Sequence, residues 1–273
     1  MGAANDYSVV ITRPEQQANQ WANTLATEGF KSFRLNLLEI KPVISEEKTR
    51  AVKNKILDFD LYQKAIFVSQ NAVEFGMEWL EDYWPQLPIG IEFFAVGATT
   101  AKKLSDYGIV VTDLAVSSNG GMTSEDLLRA PALQNVNGEK IIIFRGCGGR
   151  GHMADELRNR GALVDYCELY ERCLPELAVA QLQQLATEIS KQDCQYIMSV
   201  HSGESLENLL QLLQMDAAFT PFTKTMLRRL PLLVPSQRIA TNATDAGFAN
   251  IICAQNATDA SMTQALRQYI QVC

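Results

Sequence analysis

Short apolar runs alternate along this chain with longer stretches of helical periodicity. The runs are Tyr7–Ile11, Ala65–Val68, Phe93–Val96, Ile109–Val111, Ile141–Phe144, Ala162–Tyr166, Tyr196–Met198, Leu230–Val234 and Ile251–Cys253. Each has the length of a strand. Pro14–Thr27 shows what lies between them: Trp21 and Leu25 are four apart, and a proline stands at the expected first turn. Gly29 then serves as a helix stop. Strands separated by helices of about 10 to 16 residues predict parallel βαβ units and doubly wound sheets.

A weak internal repeat runs through this pattern. Arg13 follows the first strand, and its helix closes at Gly29, sixteen residues later. Arg145 follows Ile141–Phe144, and its helix closes at Gly161, again sixteen later. Each is trailed by a strand-to-helix turn opening in serine: Ser69-Gln70-Asn71-Ala72 in one half, Ser199-Val200-His201-Ser202 in the other. A third turn follows in each, Val96-Gly97-Ala98-Thr99-Thr100-Ala101 and Val234-Pro235-Ser236-Gln237-Arg238. The shared order predicts two similar domains facing one another.

Composition narrows the class. At about 150 residues per domain, 273 residues suit two domains. With 47% hydrophobic and 20% charged residues, the chain can build real cores. A net charge of −7 excludes the basic face that nucleic-acid binding requires. Two histidines, His152 and His201, are too few for a histidine-rich metal cage, so no metal is expected. No secretory signal or membrane span is read, and a cytoplasmic protein is expected. The six cysteines form no C-x-x-C pair and are expected to be buried thiols.

In open α/β sheets, ligands bind at the carboxyl ends of strands, where loops lead into helix N-termini. The polar residues of the repeat all fall there. A serine or threonine at a helix start ordinarily caps free backbone N–H groups. Without that duty, the same N–H groups form an anion cradle, and six such turns in order point to a cleft for an anionic ligand. Arg13, Arg145, Arg150 and Arg238 are placed to hold carboxylates. Tyr170 falls just after a strand, where the chain leaves one half for the next. The acidic pairs Glu46-Glu47 and Glu81-Asp82 read as solvated helix faces. One motif, Gly146-Cys147-Gly148-Gly149-Arg150-Gly151, satisfies G-x-G-x-x-G after a strand, with Asp165 and Glu168 about twenty residues on. Against a dinucleotide site, Arg145 interposes before the first glycine, and the matching turn Thr12-Arg13-Pro14 has none.

Several segments together resemble the uroporphyrinogen-III synthase family. They are Val10-Ile11-Thr12-Arg13-Pro14, Phe67-Val68-Ser69-Gln70-Asn71-Ala72-Val73, and Phe94-Ala95-Val96-Gly97-Ala98-Thr99-Thr100-Ala101. Met122-Thr123-Ser124-Glu125-Asp126-Leu127-Leu128, Phe144-Arg145-Gly146 leading to Gly149-Arg150, and Leu169-Tyr170-Glu171-Arg172 complete the set. Their order and spacing carry the resemblance over almost the whole chain.

The resemblance implies two similar doubly wound α/β domains joined by a two-stranded linker, with the active site in the cleft between them. Residues 1–37 and 172–273 would form a discontinuous domain and residues 38–171 an inserted one. The linkers would lie near Leu37–Pro42 and Leu169–Leu174. The implied activity is that of a cyclising lyase of tetrapyrrole and heme biosynthesis. It takes hydroxymethylbilane, a linear tetrapyrrole octacarboxylate, and makes uroporphyrinogen III with loss of water and inversion of the terminal ring. No cofactor is implied, nor any nucleic-acid or membrane partner, and the chain is expected to be a monomer.

Tyr170 stands where the family's assisting acid is most often proposed. Binding residues would be Ser69, Gln70, Asn71, Thr99 and Thr100 from one domain, and Arg13, Ser199, His201, Ser202, Ser236 and Gln237 from the other. Arg145 and Arg150 would add carboxylate contacts. Val234-Pro235-Ser236 departs from the family's Gly-Pro-Ser/Thr. Two competing readings stand beside this one: a nicotinamide-dependent oxidoreductase using the Gly146–Gly151 turn, and a non-catalytic two-domain anion-binding protein.

Overall fold

The computed structural model describes residues 4–112, 123–149, 151–191, 194–215 and 219–272. The first stretch of chain forms β1 (Tyr7–Ile11), α1 (Glu15–Thr27) and β2 (Lys31–Arg34). Next come β3 (Glu39–Pro42), α2 (Glu46–Leu57), β4 (Lys64–Phe67), α3 (Gln70–Tyr83), β5 (Glu92–Ala95) and α4 (Ala98–Asp106). These are followed by α5 (Ser124–Leu127), β6 (Lys140–Gly146), α6 (His152–Asn159) and β7 (Leu163–Cys173). The last stretch forms α7 (Ala178–Ser190), β8 (Gln195–Ser199), α8 (Gly203–Gln214), α9 (Pro221–Arg229), β9 (Leu232–Val234), α10 (Gln237–Asp245), β10 (Ile251–Cys253) and α11 (Asp259–Val272). The chain divides into two compact units, Met1–Glu39 with Cys173–Cys273, and Ile40–Arg172.

In the first unit the described strands form one sheet in the order β2-β1-β8-β9-β10, with every pairing parallel. Side chains alternate across a strand, so the uninterrupted apolar run of β1 feeds two cores. Val9 and Ile11 pack with Trp21 and Leu25 of α1 and Leu266 of α11. Val10 packs on the other face with Leu182 of α7 and Leu206 and Leu209 of α8. Helices on both faces are what a parallel sheet requires.

The second unit repeats the design in the order β3-β7-β6-β4-β5. Phe67 and Phe144 stack at 4.4 Å beneath α3, while Ile66, Ile141 and Ile143 pack against Leu127 of α5 and Leu157 of α6. In each unit a central strand, β1 or β6, has the next strand of the chain on one side. On its other side lies β8 then β9, or β4 then β5. The sequence repeat therefore marks equivalent strands: Arg13 follows β1 and Arg145 lies near the end of β6, while Ser199 ends β8 and Ser69 follows β4.

Four expectations change. Ile109–Val111 is no strand and contributes a single parallel bridge from Val111 to Phe93. Strands β2 and β3 are edge strands that lie outside the apolar runs because their own sequences are polar, with Lys31, Ser32 and Pro42 exposed. Tyr170 does not follow a strand but lies within β7, which continues for eleven residues. The register of β7 on β6 slips there: Arg145 faces Glu168, but Gly146 faces Tyr170. Leu169 is the extra residue, and such a bulge re-aims the side chains beyond it. Consecutive residues Leu169 and Tyr170 thus bury themselves in the same core. Finally, the cysteines are not uniformly buried. Cys167 is buried, Cys147, Cys173 and Cys194 are partly exposed, Cys253 is exposed, and all five are free thiols. Cys273 lies outside the described residues.

Candidate functional site

At the carboxyl ends of β4, β5 and β6 the second unit holds a cavity of about 430 Å³. Val68 and Val96 line it beyond β4 and β5, and Arg145 and Gly146 line it from the end of β6. Gly148, Gly149 and His152 come from the turn into α6, Tyr166, Tyr170 and Arg172 from β7, and Thr123, Ser124 and Glu125 from the start of α5. This is where an open parallel sheet places its ligand.

Tyr170 is the best-braced polar group on the cavity wall. Its ring is 1% exposed, stacked on Phe75 at 5.5 Å and set against Gly146, where only a glycine leaves room. Arg172 lies 5.9 Å from the ring centroid. The phenol oxygen lies 2.9 Å from Ser69 Oγ. Ser69 is the N-cap of α3, and its Oγ accepts the Ala72 N–H at 3.1 Å. Sequence and fold agree here: a serine between a buried strand and a helix both stops the strand and caps the helix.

Arg145 is 9% exposed, with its guanidinium 4.5 Å from the Tyr166 ring centroid. Such stacking suits the flat, weakly hydrated guanidinium. Nε donates to the Gly146 carbonyl at 3.2 Å, and the turn at Gly149 closes over the end of the side chain. Arg145 thus brings positive charge to the residues lining the cavity.

The glycine-rich turn is not a dinucleotide cradle. Gly148 N–H donates to Glu168 Oε1 at 3.1 Å, so a carboxylate of the protein already occupies a donor a pyrophosphate would need. Asp155 stands in the first turn of α6, and Asp165 accepts the Tyr62 hydroxyl at 2.9 Å instead of facing a ribose.

The remaining expected residues separate into groups. In the second unit, Gln70 is exposed and Asn71 half-buried in the first turn of α3. Thr99 is exposed at the start of α4, whereas Thr100 beside it is buried at 3%. Arg150 lies outside the described residues. In the first unit, Arg13 is paired with Asp259 and with the Ala257 carbonyl, and lies 5.8 Å from the Trp21 ring. Ser199 is fully buried and donates to the Val10 carbonyl at 2.7 Å, tying β8 to β1. His201 meets Trp21 edge-on at 4.8 Å, with Nε2 3.4 Å from Ser199 Oγ and Nδ1 buried without a partner. Burial, and secondarily the Arg13 charge, push its pKa well below the ordinary histidine value. Ser202 caps α8, accepting the Ser205 N–H at 3.1 Å. Ser236 is the N-cap of α10 but makes no capping bond, and Gln237 beside it is exposed.

Sequence reasoning missed Phe75 and Tyr166 as parts of this site. Each acts through a neighbour in space, and no spacing along the chain announces it; the spacing from the glycine-rich turn marks Glu168, but as a ribose contact and not as the turn's own acceptor. Among the described residues there is no cluster of three metal-binding side chains, and no helix is long and apolar enough to cross a membrane.

The chain as a whole resembles known proteins. Residues 19–264 match the family model described as uroporphyrinogen-III synthase HemD. The chain is 30% identical over 265 residues to the uroporphyrinogen-III synthase of Escherichia coli (strain K12), covering 95% of this chain and all of that one. It is 28% identical over 209 residues to the enzyme of the same name from Proteus mirabilis, covering 74% and 97% of the two chains. Among solved structures it resembles the uroporphyrinogen-III synthetase of Helicobacter pylori 26695, with a TM-score of 0.58 at 14% identity, covering 97% and 99%. A mutant synthase from the extremely thermophilic bacterium Thermus thermophilus gives 0.57 at 15% identity, covering 97% and 98%. These two structures speak for the fold alone. None of the matches supports the nicotinamide-dependent or non-catalytic readings.

Proposed function

From the premise that this chain belongs to the uroporphyrinogen-III synthase family, we propose how its own residues carry out the ring closure. The substrate, hydroxymethylbilane, is intrinsically reactive and cyclises unaided to the wrong isomer. The protein's task is to hold one conformation that leads through a spiro intermediate, which is catalysis by positioning.

Tyr170 assists departure of the hydroxyl. As the C–O bond breaks, its electron pair stays on oxygen, which takes the Tyr170 proton and leaves as water. The substrate is left as a cation beside a phenolate. The α-carbon of the terminal pyrrole that already carries its methylene bridge attacks this cation and becomes the spiro centre. Its older C–C bond to that methylene then breaks and leaves the cation there; the ring's free α-carbon closes on it with a second new C–C bond and sheds its proton, which returns to the Tyr170 phenolate. The observation that supports this reading is Tyr170, held by Ser69 through its hydroxyl and lining a cavity that Arg145 also lines.

Arg145 receives a substrate carboxylate there; Arg150 and the first turns of α3 and α4, with Gln70, Asn71, Thr99 and Thr100, offer other carboxylates further contacts. In the first unit, Arg13 and His201 with the helix starts at Ser202, Ser236 and Gln237 offer further donors to carboxylates. Ser199 serves that unit from behind, by holding β8 to β1. An acidic chain binding an octa-anion must concentrate its positive potential in such places. The protein works as a cytoplasmic monomer on this small molecule, without nucleic acid.

The test is to supply hydroxymethylbilane to the pure protein and separate the product isomers. Formation of the type III isomer faster than spontaneous closure is expected. Type I alone, at the spontaneous rate, overturns the proposal.

A further inference from the structure

Ser69 makes two hydrogen bonds whose directions constrain one another. A hydroxyl has one proton to donate and two lone pairs to accept with. One lone pair of Ser69 Oγ is taken by the Ala72 N–H at 3.1 Å. The other contact is Tyr170 Oη at 2.9 Å. If Tyr170 donates in that contact, its proton is spent on Ser69 and unavailable to a leaving group. If Ser69 donates, the phenol proton is free to point into the cavity.

We propose that Ser69 is a positioning residue for the proton transfer, holding the Tyr170 oxygen and donating to it as the phenol gives up its hydrogen. The inference rests on the role given to Tyr170 above. The chain of donors runs from Ala72 N–H to Ser69 O–H to Tyr170 O–H to the departing hydroxyl. Each bond polarises the next, so the amide makes the serine a better donor. Charge growing on the phenol oxygen then meets a donor already in place, with no reorganisation to perform. The setting favours the same direction: Ser69 caps the fourteen-residue α3, whose N-terminus is the positive end of its dipole. Phe75 and Gly146 hold the ring from both sides, leaving the hydroxyl proton as the group free to turn.

A double-mutant cycle with isomer-resolved kinetics tests this. Glycine is a tolerated N-cap but has no hydroxyl, so Ser69→Gly separates the positioning role from helix capping. Ser69→Gly is expected to lower kcat for the type III product about tenfold, the worth of one charge-assisted hydrogen bond, with KM unchanged. Ser69→Thr, which keeps hydroxyl and cap, restores most of the loss. In a Tyr170→Phe background, Ser69→Gly costs nothing further. An equal loss in both backgrounds, or a rise in KM at constant kcat, overturns the inference while leaving the proposed function standing. Wild-type protein that yields only the type I isomer overturns that function, and the inference with it.

Discussion

Gly146 lies so close beneath Tyr170 that a Cβ built on it would stand 2.5 Å from Cε2 and 2.9 Å from Cζ of the ring. The ring cannot yield sideways, because Phe75 stacks on it at 5.5 Å. Gly146→Ala must therefore lift Tyr170 from its seat and stretch the bond to Ser69. Overpacking of this kind costs about 1–3 kcal/mol. We expect Gly146→Ala to lose that much in urea denaturation and to lower kcat at least tenfold, roughly the worth of the hydrogen bond it breaks. Wild-type turnover in a stable Gly146→Ala protein would show that the ring position does not matter.

Tyr170→Phe removes the hydroxyl and keeps the ring contacts. Its expected effect is a fall in kcat of about 100-fold, the lower end of what a positioned acid contributes, with little change in KM. Stability should drop by only about 1 kcal/mol, for one hydrogen bond. Steady-state kinetics beside a thermal melt separates the two effects, and full turnover would remove Tyr170 from the chemistry.

Gly149 has a φ of 87°, and a Cβ there would come 2.6 Å from Nη2 of Arg145. Alanine in that left-handed conformation costs about 1–2 kcal/mol. The added methyl also pushes the guanidinium off the Tyr166 ring. If Arg145 receives a substrate carboxylate, Gly149→Ala should raise KM more than it lowers kcat. Arg145→Gln should raise KM further at nearly wild-type stability. Unchanged KM in both variants would take Arg145 out of substrate binding.

His201 supplies a pH dependence whose sign follows from its burial. Its folded pKa is lowered, first by desolvation and then by the Arg13 charge. Between that value and the unfolded value of about 6.5, the unfolded chain binds the extra proton. The contribution to stability is therefore complete above about pH 6.5 and is lost as pH falls below it, at up to about 1.4 kcal/mol per pH unit. Urea midpoints at pH 7.5 and 5.5 should fall toward acid in the wild type, and less steeply in His201→Gln. Parallel slopes for the two proteins would contradict a buried neutral imidazole.

Much of this molecule is legible along the chain, and for an identifiable reason. A strand covered on both faces is apolar at most positions, so the interior strands β1, β4, β6, β8 and β9 stand out as runs. The turns that follow them need caps, so Ser69 and Ser202 recur, as do Arg13 after β1 and Arg145 near the end of β6, in a repeat that the two sheets reproduce. The family resemblance rests on those same turns. The edge strands β2 and β3 carry Lys31, Ser32, Glu39 and Lys41 and lack that signature, whereas the edge strands β5 and β10 keep apolar residues and show it; Ile109–Val111 has the signature but only one partner residue in the sheet.

What the tertiary structure alone decided is which polar groups meet. Tyr170 and Ser69 are 101 residues apart, and their contact exists because β7 and β4 flank β6 and because β7 bulges at Leu169. Glu168 disarms the glycine-rich turn by the same pairing of β7 with β6. A hydrogen bond depends on a separation of about 3 Å and a direction, and neither is a property of position along a chain. Local sequence set the elements and their caps; the order of strands in the sheet, with one slip in register, set the chemistry.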